Sequence, residues 1–188
     1  GFNGGTGLYC GEQDMFTFLI DPTGWTEIGG EPFAPGFFLW NSEVGRRSLG
    51  VETFWYQQIC GNHIVWDAVE IVEFSRKHTA NVHEALTEVR RLIQALAAKR
   101  DQRRDAFARV MQKAMETKLG EDADEVKAAL SKVGVSRSLG KQALELVQGR
   151  FTVFSMVDAL TRLSRQIVNA GDRTDADQQA GRLLTLAA

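Results

Sequence analysis

The spacing of apolar residues changes near residue 75. Before it, apolar and polar positions alternate, as in Met15-Phe16-Thr17-Phe18-Leu19 and Val69-Glu70-Ile71-Val72-Glu73-Phe74. A period of two places successive side chains on opposite faces of a strand. The pattern predicts strands over 6–10, 14–20, 36–40, 48–56, 64–66 and 69–74. Turn signals separate them: Asp21-Pro22-Thr23-Gly24, Gly29-Gly30 and Asn41-Ser42-Glu43-Val44-Gly45. All three prolines fall between residues 22 and 35, so that segment is expected to be a loop or an edge and not a central strand. Short strands with tight connections imply antiparallel pairing.

From about Thr79 the period becomes helical. Val82, Leu86, Val89, Ile93 and Leu96 form one stripe, Thr79 is a candidate N-cap, and no Gly or Pro occurs until Gly120. The prediction is one helix over 79–118, about 60 Å long if unbroken. That exceeds the width of a domain of this size, so part of it must overhang, bend or pack on another chain. The stripe has a gap at Arg100 and Arg103 before Phe107, Val110 and Ala114 restore it. Two arginines cannot sit unpaired in a dry core. Either the helix overhangs solvent there, or it breaks in two, or the pair faces something anionic. Shorter helices are predicted over 122–133, 138–148, 152–169 and 175–186. The third of these has the stripe Val153, Met156, Val157, Leu160, Leu163 and Ile167, and Asp172, Asp175 and Asp177 are read as leading into the last.

Together these elements predict an α+β fold. An N-terminal antiparallel β-sheet over 1–75 is followed, over 76–188, by one long helix and a C-terminal helical bundle, in one composite domain. Composition agrees: 14 of the 17 aromatic residues precede residue 76, and pleated surfaces favour such side chains. The net charge of −2 conceals a segregation, with 2 basic and 10 acidic residues up to position 75, then 11 basic and 5 acidic over 76–118. No apolar run approaches the roughly 18 residues of a membrane helix. The N-terminus GFNGGTG has no targeting pattern and reads as a fragment boundary or a processed end. Two cysteines, Cys10 and Cys60, suit a reducing, cytoplasmic setting.

Residues 36–62 carry a resemblance. The run Gly36–Trp40, the turn Asn41-Ser42-Glu43-Val44-Gly45 and the strand Phe54-Trp55-Tyr56-Gln57-Gln58-Ile59-Cys60-Gly61-Asn62 resemble the phage/plasmid-like proteins grouped as domain of unknown function 932. That family shows an Asn-Ser-x-x-Gly turn and an aromatic strand ending in a Cys-x-Asn-Gly-like corner, which makes Asn41, Ser42, Gly45, Cys60 and Asn62 the family-marker residues here. A looser match is Ala180-Gly181-Arg182-Leu183-Leu184. His63 departs from the pattern, standing where a Gly is expected. The resemblance implies a home on mobile elements and no established activity. A β-rich unit followed by a long helix is also loosely like the single-strand annealing proteins of phages.

Several groupings could carry chemistry. Cys60, Asn62 and His63 offer a thiol, an amide and a base, but the partners of a catalytic cysteine are normally assembled by the fold, and the ordinary reading is a core cysteine. Among Cys10, Cys60, His63, His78 and His83, Cys60-Gly-Asn-His63 has the close spacing of one zinc-ligand pair, but Cys10 has no near partner and His78 and His83 are five apart, so neither metal nor cofactor is expected. The glycine-rich pieces lack the Lys-Ser/Thr ending of a phosphate loop. Residues 125–147 offer a helix–turn–helix with Gly134-Val135-Ser136 as turn and Arg137 and Lys141 towards DNA. Against it, Leu130 stands where a small residue is wanted and Gly140 where an apolar anchor is wanted, so a plain helical hairpin is expected.

Basic residues next to an aromatic sheet suit single-stranded nucleic acid, with bases stacked on rings and phosphates on cations. The candidate contacts are Arg46, Arg47, Arg90, Arg91, Lys99, Arg100, Arg103 and Arg104. The leading expectation is a non-enzymatic nucleic-acid-binding accessory protein of a mobile element. The alternatives are an oligomerisation module, in which the long helix pairs with a second copy, and a cysteine-dependent enzyme centred on Cys60.

Overall fold

A computed structural model describes residues 8–10, 14–42, 50–66 and 82–187. It is α+β, with a curled antiparallel sheet followed by six helices among the described residues. The strands are β1 (Leu8–Cys10), β2 (Asp14–Ile20), β3 (Thr26–Ile28), β4 (Glu31–Ser42), β5 (Gly50–Gln57) and β6 (Asn62–Ile64), in the spatial order β1-β2-β4-β5-β6 with β3 also on β4. The strand predicted over 69–74 lies outside the described residues. β3 was not expected, and β6 begins two residues before its predicted start.

Two of the three prolines belong to the centre of the sheet, contrary to expectation, while Pro22 stays in the turn after β2. β4 carries Pro32 and Pro35 and pairs with β2, β3 and β5. Each proline sits where a ladder ends. The Pro35 carbonyl accepts from Asp21 N–H, one residue past the last β2 pair, and the Pro32 carbonyl accepts from Gln58 N–H, one residue past the last β5 pair. In an antiparallel strand a residue's N–H and C=O point to the same side. The missing donors therefore face ladder ends, where no regular bond is lost.

Alternation along the strands builds two cores. One face presents Phe33 on β4 and Trp55 on β5 to the helices, in a buried cluster that also holds Phe107, Met111, Met156 and Leu160. Trp55 lies flat on Phe107 with ring centroids 4.1 Å apart. The other face gathers Phe16, Phe18, Phe38, Phe54 and Tyr56 with Val65 and Ala170.

The helices are α1 (Val82–Ala98), α2 (Arg100–Glu116), α3 (Ala123–Lys132), α4 (Arg137–Leu146), α5 (Val153–Ser164) and α6 (Ala170–Arg182), and a short 3-10 turn over Leu183–Leu186 follows α6. The single helix predicted over 79–118 is two helices meeting at Lys99, which has left the helical region (φ −97, ψ 10) and caps nothing with its side chain. Of the alternatives for the arginine gap, the structure contains a break and also an acid, Asp21, facing Arg100. α5 buries the predicted stripe from Val153 to Leu163 but stops at Ser164, short of 169. α6 starts earlier than predicted, capped by Asn169, whose side chain accepts from Asp172 N–H at 3.0 Å. Asp177 consequently lies inside α6, buried, and accepts from Ser164 Oγ. No described helix is long and apolar enough to cross a membrane.

Candidate nucleic-acid interface

The eight basic residues nominated by sequence fall into three groups. Arg46 and Arg47, like Gly45, lie outside the described residues. Arg100, Arg103 and Arg104 are taken up within the protein. Arg100, in the first turn of α2, donates through Nη1 to Asp21 Oδ2 at 3.2 Å and to Thr23 Oγ1 at 3.1 Å. Burial works to raise the Asp21 carboxyl. Hydrogen bonds from Thr23 and Arg100, with the Arg100 charge, outweigh it and hold the group below its ordinary value. Arg103, one turn on, is only 7% exposed. Arg104 binds Asp101 and Asp105, each at 3.1 Å. Through Arg100, the gap in the apolar stripe thus ties α2 to the β2–β3 turn. A cleft of about 440 Å³ remains beside it, between Leu19, Phe37 and Thr53 on the sheet and Ile93 and Leu96 on α1.

Arg90, Arg91 and Lys99 form the third group. All three are exposed, and so is Arg109 on α2; none has an ion pair among the described residues. They put exposed cations midway along α1, at its junction with α2 and on α2 itself. Most of the described aromatic rings do not join them, although the half-buried Phe37 reaches the cleft beside α1. Phe16, Phe18, Phe33, Phe38, Phe54 and Trp55 are all at most 1% exposed, and Trp25 stands apart at 42%. These six rings, which sequence placed under a nucleic acid, belong to the protein's own core.

The corner around Cys60 and Asn62 holds the sheet to α5. Asn41 and Ser42 end β4 opposite Met15 and Asp14. Asn62, fully buried, donates both amide hydrogens, to Gln57 Oε1 at 3.1 Å and to Asp158 Oδ1 at 3.0 Å. Gln57 in turn donates to Glu31 at 3.2 Å, and Asp158 pairs with Arg162 at 2.7 Å. Cys60 is half-buried, not a core residue, beside Arg162 Nη2 at 3.5 Å, and its carbonyl accepts from Arg165. Burial and the neighbouring Asp158 carboxylate push its thiol up, and Arg162 only partly offsets them. A nucleophilic cysteine needs the reverse. His63 belongs to the aromatic core, stacked on Phe18 with centroids 4.2 Å apart.

Sequence reasoning missed Gln57, Asp158 and Arg162, although the last two stand four apart on one helix face and could have been read as a pair. Of the residues weighed for zinc, His78 lies outside the described residues, and among those described no group of three or more His, Cys, Asp or Glu could hold a metal ion.

Compared with protein-family models, curated proteins and solved structures, the chain finds no match. Its function is therefore argued from its surface.

Proposed function

We propose that the protein is a non-enzymatic nucleic-acid-binding accessory protein of a mobile element, acting in the cytoplasm. One observation carries the reading: Arg90, Arg91, Lys99 and Arg109 are solvent-facing cations that no described acid neutralises. Unneutralised cations on a helix surface attract phosphates and release counterions when they bind. The phage/plasmid-like resemblance of residues 36–62 supplies the setting. With the core rings unavailable for stacking, contact is chiefly to the backbone, and affinity depends on salt more than on sequence.

Fluorescence anisotropy with a short labelled oligonucleotide tests this. Between about 50 and 200 mM salt, binding should weaken steeply. Arg90→Glu with Arg91→Glu should lower affinity by roughly tenfold or more and flatten the salt dependence. Binding indifferent to salt, or to this double reversal, rejects the reading.

A second reading keeps some support. On α1, Leu92, Ile93 and Leu96 are only half-buried, an apolar strip that a second copy could cover. Arg100 no longer serves that model, since its acid is Asp21 of its own chain. A clean monomer by light scattering at micromolar concentration disposes of it.

A further inference from the structure

Between α3 and α4 lies a tight turn whose geometry answers the objections raised from sequence. Gly134 adopts φ +82, a conformation that residues with a side chain rarely take. Around it, Gly134 N–H donates to Ser131 O at 3.2 Å and Val135 N–H to Leu130 O at 3.0 Å. Ser136 then caps α4, accepting from Leu139 N–H at 3.3 Å. Val126, Leu130, Val135, Gly140 and Ala143 are buried inside the turn. Leu130 and Gly140 meet directly: a Cβ at 140 would stand 3.1 Å from Leu130 Cδ1. The large and small residues have exchanged sides of one contact, and the close crossing of the helices survives the exchange.

We propose that α3, this turn and α4 form a helix–turn–helix unit that docks on double-stranded DNA, with α4 facing the major groove. The proposal rests on the nucleic-acid reading above and names the partner and the contact helix. α4 lays its inner side on α5 and leaves Arg137, Ser138, Lys141 and Gln142 exposed. Spaced i, i+1, i+4 and i+5, these four share one stripe. Their chemistry suits base edges: Arg and Lys to guanine, Gln to adenine, Ser to either.

Charge supports the orientation. A cleft of about 340 Å³ between the helices is lined by Lys127, Arg137 and Lys141 together with Ser131 and Ser136. The Arg182 guanidinium lies beside Gly134. Asp122, Asp124 and Glu125 sit at the opposite end of α3, where Asp122 caps the helix and Asp124 pairs with Lys127 at 2.8 Å. Glu145, exposed and four residues after Lys141, continues the stripe at the end of α4 away from the turn. Cations thus surround the turn, as a helix crossing a phosphate backbone requires. Duplex RNA is a poor alternative, because its deep, narrow major groove excludes a helix.

The test uses the full chain with a mixed-sequence DNA duplex, one of its single strands and the matching RNA duplex. Arg137→Ala, Lys141→Ala and Gln142→Ala are combined in one variant. All three positions are solvent-facing, so the fold should survive, which circular dichroism checks. The wild type should bind the DNA duplex and prefer it to the RNA duplex. The triple variant should lose roughly tenfold or more on the DNA duplex and little on the single strand, while Arg90→Glu with Arg91→Glu should weaken both. A triple variant that holds the duplex as tightly as wild type overturns the proposal. So does a wild type that binds single strands but not the duplex, and in that case nucleic-acid binding still stands. No binding to any of the three overturns both readings.

Discussion

Gly181 and Gly140 are both buried helix glycines against close neighbours, yet they should respond differently to substitution. A Cβ at Gly181 would overlap the carbonyl oxygen of Val65, a backbone atom that cannot move without shifting the chain. At Gly140 the neighbour is the flexible end of Leu130, at 3.1 Å. Gly181→Ala should therefore cost about 3 kcal/mol or more through overpacking. Gly140→Ala should stay within about 1 kcal/mol of wild type, since helix propensity favours alanine by about 1 kcal/mol. Urea unfolding measures both, and equal losses would count against the α6–Val65 contact. Cys60 offers a second residue-scale prediction. Because burial and Asp158 raise its thiol, a Cys10→Ser protein should react with iodoacetamide more slowly than free cysteine at about pH 7. Asp158→Asn should speed the reaction by removing the carboxylate. A Cys60 that reacts faster than free cysteine would restore the enzyme hypothesis.

Among the elements, legibility followed periodicity. β2 was read to the residue because its alternation is locally complete, and the α5 stripe was found because five buried positions repeat at helical spacing. β4 was truncated for a reason that single-strand rules do not contain. Whether a proline is tolerated depends on which side its missing N–H faces and where the neighbouring strand stops, and both are tertiary facts. The break at Lys99 is of the same kind. Residues 79–118 contain no Gly or Pro to mark it, and the arginine gap becomes meaningful only once Asp21 is known to stand opposite. That pairing makes a pH prediction. The folded-state pKa of Asp21 is depressed, so its contribution exists above the unfolded carboxyl value of about 3.9 and is lost as pH falls through the folded value. Asp21→Asn should destabilise by under about 1 kcal/mol at neutral pH, given how exposed the Arg100 pair is. The difference from wild type should shrink as pH falls below about 4. Unfolding curves at neutral and acid pH decide it, and a deficit that grows on acidification would contradict the assignment.

At the scale of the molecule, the change in composition at residue 75 marks a change of architecture without separating the cores. Ile28, Phe33, Trp55, Ile64 and Trp66 from the β region share one buried cluster with Phe107, Met111, Met156 and Leu160 from the helices. Phe107 is central to it, flat on Trp55 and 5.3 Å from Trp66. Two of the four tryptophans therefore report on the contact between sheet and helices, while far-ultraviolet circular dichroism reports chiefly on the helices themselves. If the shared cluster governs stability, the two signals should follow a single urea transition with one midpoint. Phe107→Ala should lower that midpoint for both probes together, by the equivalent of about 3 to 5 kcal/mol. Were the β region and the helices independent, the tryptophan and helix transitions would separate, and Phe107→Ala would shift the helical one alone. The variant makes the test decisive, because Phe107 is remote in sequence from Trp55 and can influence its unfolding only through the packed interface.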